Sequence, residues 1–214
     1  MATQQHPAFD PNHPLPPNGA LRNSGWKKDY CGSASRTKGN VHYGQLWLGA
    51  ILEAQSWKAR DDKGRIPAFE AKWEKTKESI ETTTQALRNL TSAGNKLQGD
   101  GEILLGNSTG LRQGLQQTKQ PVRKSGNLPQ VHTDAQTILP RAYAAVASYL
   151  QAVNYEFEEE TFEQYFTALQ ETAAFEMREL WQLQPFAKLV LLESVAALAE
   201  RMDATVYVRS EDPA

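Results

Sequence analysis

Cysteine is nearly missing from this chain, since Cys31 is the single example among 214 residues. A lone thiol excludes an intramolecular disulfide and any cysteine-rich zinc cage. Histidine is also scarce, and the four that occur have no histidine four positions away and no cysteine close by: His6, His13, His42 and His132. We therefore expect no bound metal and no cofactor.

An excess of positive charge is missing as well. The chain carries 23 basic and 25 acidic residues, which gives a formal net charge of −2, and the two signs are mixed along its whole length. A surface that neutralises many phosphates needs clustered lysine and arginine. We therefore expect no nucleic-acid partner.

No long apolar run is present. The most apolar stretch, residues 180–199, is interrupted by six polar or helix-breaking residues: Gln182, Gln184, Pro185, Lys188, Glu193 and Ser194. A membrane-spanning helix needs about 20 mostly apolar residues. The first 20 residues have no basic start followed by an apolar segment, so they do not resemble a secretory signal. We expect no direct membrane span in this chain.

Recognisable catalytic motifs are missing too. The glycines at 99, 101 and 106 match no dinucleotide fingerprint, and no Gly-x-Ser-x-Gly elbow or Asp-x-Asp metal pair occurs. The glutamates between Glu156 and Glu163 could supply two carboxylates for glycoside hydrolysis. Their position at the start of an amphipathic helix favours a solvated cap that matches the helix dipole. The residue inventory thus gives no catalytic residue.

The composition divides the chain into three parts. Residues 1–40 are rich in Pro, Gly, Asn, Ser and Lys, which predicts a disordered tail because little apolar area can be buried there. Apolar residues recur every three to four positions over residues 41–202, which predicts one helical domain. Residues 203–214 contain "TVYVRSEDPA", and with no other strand candidate to pair with, we interpret them as a C-terminal tail.

The helical domain is predicted to be all-α, an irregular bundle of about six to seven helices. The first two segments are "VHYGQLWLGAILEAQSWKA" and a helix that opens at Pro67 and stops at "SAGN". A third helix, with Asp100 as N-cap, ends before Pro121, and "VRKSGNLPQVH" follows as a loop. Pro140 marks the start of the next helix or a kink near its beginning.

The last part of the domain is predicted to hold three further elements. Glu158, Glu159 and Glu160 lie where a helix N-terminus favours negative charge. "FEMRELWQLQ" is then predicted as a short helix, and Pro185 as the first residue of the last helix. The wide apolar surface of that last helix indicates several neighbours.

Aromatic side chains recur at helical spacing, and they are Trp47, Trp57, Trp73, Tyr143, Tyr149, Tyr165 and Trp181. We interpret most of them as core residues, with sugar stacking or partner docking as the other option. Glu179 and Glu193 each lie beside an apolar stretch. A buried carboxylate needs a partner such as Arg141 or Lys188, so we expect structural ion pairs there.

Four motifs occur in order along the chain: "GEILLGN" (101–107), "LPRAY" (139–143), "ELW" (179–181) and "LVLLE" (189–193). Together with "FEEETFEQYFTALQE" they resemble the helical region at the N-terminal end of cyclic β-1,2-glucan synthases, and the resemblance covers about residues 46–201. The motif positions, which we interpret as structural, are Glu102, Asn107, Pro140, Arg141, Tyr143, Glu179, Trp181, Lys188 and Glu193. The chain departs from the family pattern at Arg178, Gln184 and Lys188.

The resemblance implies a bacterial polypeptide that polymerises glucose from a nucleotide sugar and adjusts chain length with a phosphorylase-like domain. Those activities belong to later domains, so no catalytic residue is carried over to this chain. The implied role is a non-catalytic helical module that scaffolds or docks against those domains, or contacts the glucan. It implies a cytoplasmic location, with the inner face of the bacterial inner membrane as one option. The alternative is a free-standing cytosolic helical adaptor that buries its Trp-rich face against another protein.

Overall fold

The computed structural model describes residues 43–60, 64–133 and 137–202. Within them are seven α-helices: α1 (Tyr43–Ser56), α2 (Pro67–Ser92), α3 (Asp100–Gly106), α4 (Ser108–Lys124), α5 (Arg141–Ala152), α6 (Glu159–Thr172) and α7 (Met177–Arg201). One 3-10 turn, Ser125–Asn127, follows α4. The predicted irregular helical bundle is confirmed. The predicted tails at 1–40 and 203–214 lie outside the described residues.

A small sheet accompanies the helices. Its strands are β1 (Lys58–Arg60), β2 (Gln130–His132) and β3 (Ile138–Pro140), antiparallel in the order β1-β2-β3. The expectation that the chain holds no strand to pair with is therefore wrong, and so is the loop predicted over "VRKSGNLPQVH". That segment contains the end of α4, the 3-10 turn and β2. Strands of three residues are too short to show the alternation that identifies a strand in a sequence.

Two prolines lie inside helices that were predicted to stop or start at them. Pro121 lies within α4, and Pro185 lies within α7, so the predicted short helix and last helix are one continuous helix. The true start of α7 is fixed by a capping box, in which the side chains of Glu176 and Glu179 each accept the backbone N–H of the other. Leu183 and Phe186 are buried on both sides of Pro185, and this packing supports the helix across the proline.

The single helix predicted from Asp100 is also two helices, because α3 ends at Gly106 and α4 begins at Ser108. Between them, the Asn107 side-chain amide donates to the Ile103 carbonyl at 2.8 Å. The N-cap of α3 is Gly99 and not Asp100. Gly99 has φ +58°, a conformation that glycine adopts more readily than a residue with a Cβ atom.

Helix α7 organises the bundle because it packs against α2, α4 and α5. Its N-terminal half buries Leu183, Phe186 and Val190 in the main core, which also holds side chains of α1, α2, α5 and α6. Its C-terminal half meets α2, α3 and α4 through smaller clusters that contain Leu192 and Ala199. The face that α7 buries therefore changes along its length.

Aromatic rings fill the main core in two groups. Phe69, Tyr143 and Phe186 form a triangle that joins α2, α5 and α7, with centroid distances of 4.7 Å, 5.9 Å and 5.9 Å. Around Tyr149, the rings of Phe162 and Tyr165 lie at 5.2 Å and 5.5 Å and connect α5 to α6. Edge-to-face pairs of this kind add about 0.5–1.5 kcal/mol each beyond the area they bury.

Gly126 allows two segments of backbone to approach closely. A Cβ atom at this position would lie 2.8 Å from the Gly64 carbonyl oxygen and 2.9 Å from its carbon. We expect Gly126→Ala to lower the free energy of unfolding by about 1–3 kcal/mol, because backbone cannot move aside as a flexible side chain can. Urea unfolding measures this. The control is Gly110→Ala, which meets no atom within 4 Å in α4 and should raise stability by about 0.5–1 kcal/mol. Equal effects of the two changes would contradict the close approach.

Candidate functional site

Arg141 and Glu179 form a buried ion pair between the first residue of α5 and the first turn of α7. The Arg141 Nε donates to Glu179 Oε1 at 3.0 Å, and Nη2 donates to Oε2 at 2.6 Å. Glu179 is fully buried, and Arg141 also donates to the Ala174 carbonyl at 2.8 Å. The structural ion pair expected for Glu179 is present, and Arg141 is its partner.

Lys72, Tyr143 and Glu193 form a second polar cluster, which joins α2, α5 and α7. The Tyr143 hydroxyl donates to Glu193 Oε2 at 2.5 Å and accepts from Lys72 Nζ at 2.5 Å. The Lys72 ammonium lies 2.7 Å from the same carboxylate oxygen. The partner of Glu193 is therefore Lys72 and neither Arg141 nor Lys188. Because the Tyr143 ring also belongs to the aromatic triangle, the cluster connects the main core with the surface.

Tyr143 and Tyr165, both buried, should make the fold sensitive to alkali. Burial, followed by the charge of Glu193 and the hydrogen bond to it, raises the pKa of Tyr143, and burial, followed by the charge of Glu53, raises the pKa of Tyr165. Because both pKa values are raised in the folded state, the contribution of these tyrosines to the free energy of unfolding is fully present below about pH 10. Below that pH, tyrosine in the unfolded chain still keeps its proton. Above that pH the unfolded chain releases two protons that the folded chain retains. The free energy of unfolding should then fall by about 2.7 kcal/mol per pH unit.

Urea unfolding between pH 8 and pH 12, with tyrosinate absorbance recorded in parallel, measures this decline. Tyr165→Phe should halve the decrease of the free energy of unfolding per pH unit, because only one of the two tyrosine protons then differs between the folded and the unfolded chain. Ionisation of both tyrosines while the protein stays folded would contradict the prediction.

The other motif positions lie apart from these two clusters. Pro140 ends β3 and is the N-cap of α5, and Glu102 is exposed on α3. Lys188 donates to the Gln117 side chain of α4 at 2.7 Å. Trp181 is 72% exposed on α7. The motif residues thus do not converge on one site, and five of them make contacts between helices: Arg141, Tyr143, Glu179, Lys188 and Glu193.

Sequence reasoning missed Lys72 as the partner of Glu193. Glu193 and Lys72 are 121 positions apart in the chain, and no local pattern links them. The spacing "F-E-x-x-E" ahead of α7 was a usable signal for the capping box, since Glu176 and Glu179 are three residues apart.

The N-terminal part of α7 exposes two large apolar side chains one helical turn apart. Met177 is 62% exposed and Trp181 is 72% exposed. We call this pair the α7 anchor surface. Four of the tryptophan and tyrosine positions interpreted as core are indeed buried, namely Trp73, Tyr143, Tyr149 and Tyr165. Trp47 and Trp57 are half-buried against the main core, and Trp181 alone among the seven is exposed. An exposed tryptophan is a common anchor in protein interfaces.

A groove runs between α2 and α4, with a volume of about 760 Å³. Glu70 and Glu74 of α2 line one wall, and Lys119 and Arg123 of α4 line the other. Trp73 and Arg65 line it too, and Arg65 donates to both carboxylate oxygens of Glu70. We call this feature the α2–α4 groove. The hydrogen bond from Arg65, and after it the charges of Arg65 and Arg123, lower the pKa of Glu70, so the field of Arg123 reaches across the groove.

The glutamates considered for glycoside hydrolysis do not form a pocket. Glu156, Glu158, Glu159, Glu160 and Glu163 are all exposed, and the residues that begin α6 include Glu159 and Glu160 in its first turn. Two hydrolytic carboxyls must converge on one bond. These side chains instead lie in solvent near a helix N-terminus, as the alternative interpretation predicted.

Within residues 43–60, 64–133 and 137–202, no group of three or more His, Cys, Asp or Glu side chains is arranged to hold a metal ion. In the same part of the chain, no helix combines the length and the apolar character needed to cross a membrane. No protein-family model, curated protein or solved structure matches this chain. The resemblance to cyclic β-1,2-glucan synthases therefore stays a prediction.

Proposed function

We propose that this chain is a non-catalytic helical module that docks against other domains of a cyclic β-1,2-glucan synthase-like assembly. In that assembly the transferase and phosphorylase-like domains carry out the chemistry, and this module positions them. We place the module in the cytoplasm, with the inner face of the bacterial inner membrane as one option. The family assignment and the location rest on the four sequence motifs.

The α7 anchor surface is the observation that carries the docking role. Met177 and Trp181 are the most exposed large apolar side chains of α7, whose buried face packs against α2, α4 and α5. Tryptophan is enriched among the side chains that dominate binding energy in interfaces. The ion pair of Arg141 with Glu179 supports the same role, since it holds the first turn of α7 against α5.

The test is a binding measurement. The purified chain is titrated with the separately produced transferase and phosphorylase-like domains of a cyclic β-1,2-glucan synthase. Trp181→Ala should weaken the complex at least tenfold, because an interface tryptophan typically contributes about 2 kcal/mol or more. The matched control is Phe157→Ala, an aromatic that is 56% exposed outside α7 and should leave the affinity unchanged.

Two further results decide between roles. The chain alone, incubated with UDP-glucose or with β-1,2-glucans, should show no turnover, and measurable turnover would contradict a non-catalytic role. Failure to bind either domain, together with Trp181-dependent binding to a different protein, would favour the free-standing adaptor.

A further inference from the structure

A second, smaller pocket lies between α2 and α4, beside the residue at which α4 begins. Its volume is about 240 Å³, below the range of about 300–1,000 Å³ that is usual for drug-sized ligands. Ile80 and Leu115 line it but are only 2% and 4% exposed, so the surface that a ligand can touch is nearly all polar. Its polar and charged lining residues are Glu81, Thr84, Gln85, Arg88, Ser108 and Arg112. We call this feature the arginine pocket.

Arg88 and Arg112 bring one guanidinium from each helix to the arginine pocket. Across the described part of the chain, neither side chain makes an ion pair or a hydrogen bond. The three lysines of α2, in contrast, all have carboxylate partners, in the pairs Lys72–Glu193, Lys75–Glu200 and Lys77–Glu81. Two positive charges therefore share one pocket without a counter-charge from the described residues.

The one carboxylate that lines the pocket, that of Glu81, lies away from the start of α4. Helices α2 and α4 run antiparallel, as two pairs of neighbours show: Trp73 with Thr118, and Ile80 with Leu115. Arg88 therefore lies beside the start of α4, and Glu81 lies two turns back along α2, at a distance of about 10 Å. The end of the pocket that holds Arg88 is thus positive.

The start of α4 adds to this positive field. The helix has no acidic residue in its first turn, where acidic side chains are favoured. Its N-cap, Asn107, makes no side-chain cap hydrogen bond, because the Asn107 amide donates to the Ile103 carbonyl instead. The first backbone N–H groups of a helix have no acceptor within the helix. An anion beside Ser108 would therefore offset the helix dipole and both guanidiniums together.

We propose that the arginine pocket binds the phosphate group of a small phosphate monoester. Such a group carries about two negative charges at neutral pH, which matches the two guanidiniums, whereas a carboxylate carries one. Each guanidinium can donate two parallel N–H bonds to phosphate oxygens. The Ser108 hydroxyl and the first N–H groups of α4 are further donors. The small volume suits a phosphate group with little attached to it.

Phosphate binding goes beyond the docking role. No residue of α7 lines the arginine pocket. The two kinds of binding can therefore fail independently, and Trp181→Ala should bind a phosphate monoester as the unchanged chain does.

The experiment is a titration of the full chain followed by amide NMR, at about pH 7.5 and a constant ionic strength of about 0.1 M. The probes are inorganic phosphate, methyl phosphate and acetate. We expect both phosphates to give saturable shifts of the amides of Ser108, Thr109 and Gly110, at a Kd of about 1 mM or below. Acetate should bind at least tenfold more weakly, because its single charge balances one guanidinium only.

Variants locate the site. Arg88→Gln and Arg112→Gln should each weaken the binding of methyl phosphate at least fivefold, because each removes one positive charge and its paired N–H donors. Neither side chain makes an ion pair within the described part of the chain, so both variants should fold, and their amide spectra check this. Arg123→Gln is the matched control, since Arg123 also lies on α4 but does not line the pocket.

Four results would overturn the proposal. The first is that no shift saturates with methyl phosphate, and the second is that inorganic phosphate binds while methyl phosphate does not. The third is that acetate binds as tightly as methyl phosphate. The fourth is that Arg123→Gln weakens binding as much as the two pocket variants, which would show a diffuse attraction of anions to a basic helix.

Discussion

Glu179→Ala should lower the free energy of unfolding by about 3–5 kcal/mol, because it leaves the guanidinium of Arg141 without its buried partner. The carboxylate accepts two hydrogen bonds from Arg141 and one from the backbone N–H of Glu176, at 2.9 Å. The substitution therefore removes an ion pair and half of a capping box together. Urea unfolding of the full chain measures the loss.

A double-mutant cycle with Arg141→Ala isolates the pair. The double variant should be less destabilised than the sum of the two single variants, since the second change removes the charge that the first left unpaired. Lys75→Ala is the control, because Lys75 and Glu200 form an exposed pair at 3.2 Å that contributes little. Additive losses at Arg141 and Glu179 would show that the two side chains do not act together.

Phe186→Ala should cost about 3–5 kcal/mol, the range found for truncating a buried phenylalanine. Phe186 is completely buried, and its ring contacts those of Phe69 and Tyr143. Loss of the ring leaves a cavity where α2, α5 and α7 meet. Because small domains have a net stability of about 5–15 kcal/mol, this one change removes a large part of it.

Equilibrium unfolding by urea, at one pH and temperature, measures the effect. Phe157→Ala provides the comparison, since this ring is 56% exposed and its removal should cost less than about 1 kcal/mol. The loss of stability in Phe186→Leu should lie between those of Phe157→Ala and Phe186→Ala, because leucine fills much of the volume of the ring but makes no ring contacts. Equal losses of stability in Phe157→Ala and Phe186→Ala would show that the aromatic triangle contributes no more to stability than an exposed ring does.

The strongly periodic helices could be predicted from the sequence. Helix α2 begins at Pro67 as expected, because a proline in the first turn loses no hydrogen bond and its fixed φ suits a helix. Helix α6 begins after Glu158, where acidic residues match the helix dipole. In both cases the signal is local, and the chain folds as the local signal indicates.

Predictions at the other prolines were wrong because position alone does not separate a first-turn proline from an interior one. Pro121 and Pro185 lie inside α4 and α7, where packing on either side outweighs the lost hydrogen bond. The partner of Glu193 was also beyond sequence reasoning. In the sequence, nothing distinguishes Lys72 from the other lysines. The packing of α2 on α7 is what brings Lys72 to Glu193.

Much of the candidate site could not be predicted for the same reason. The α2–α4 groove depends on which faces of two helices meet, and charge spacing on each helix does not determine that. From the sequence, Glu70 and Glu74 are expected on a solvated helix face. The structure shows that Lys119 and Arg123 lie opposite them across the groove. The exposure of Trp181 was missed because it was grouped with the other aromatic residues. Gln184, Pro185 and Lys188, which follow it at three, four and seven positions, indicate the polar face of α7.

The pairing of β1 with β2 has a consequence for the order of folding. Arg60 and Gln130 are neighbours in the sheet, although 70 residues separate them in the chain. The segment from β1 to β2, which contains α2, α3 and α4, therefore forms a closed loop whose two ends pair at three residue positions. Closing a loop of that size costs conformational entropy before the native contacts that offset this cost can form. We expect the amide protons of β2 to gain protection from exchange later than those of α2.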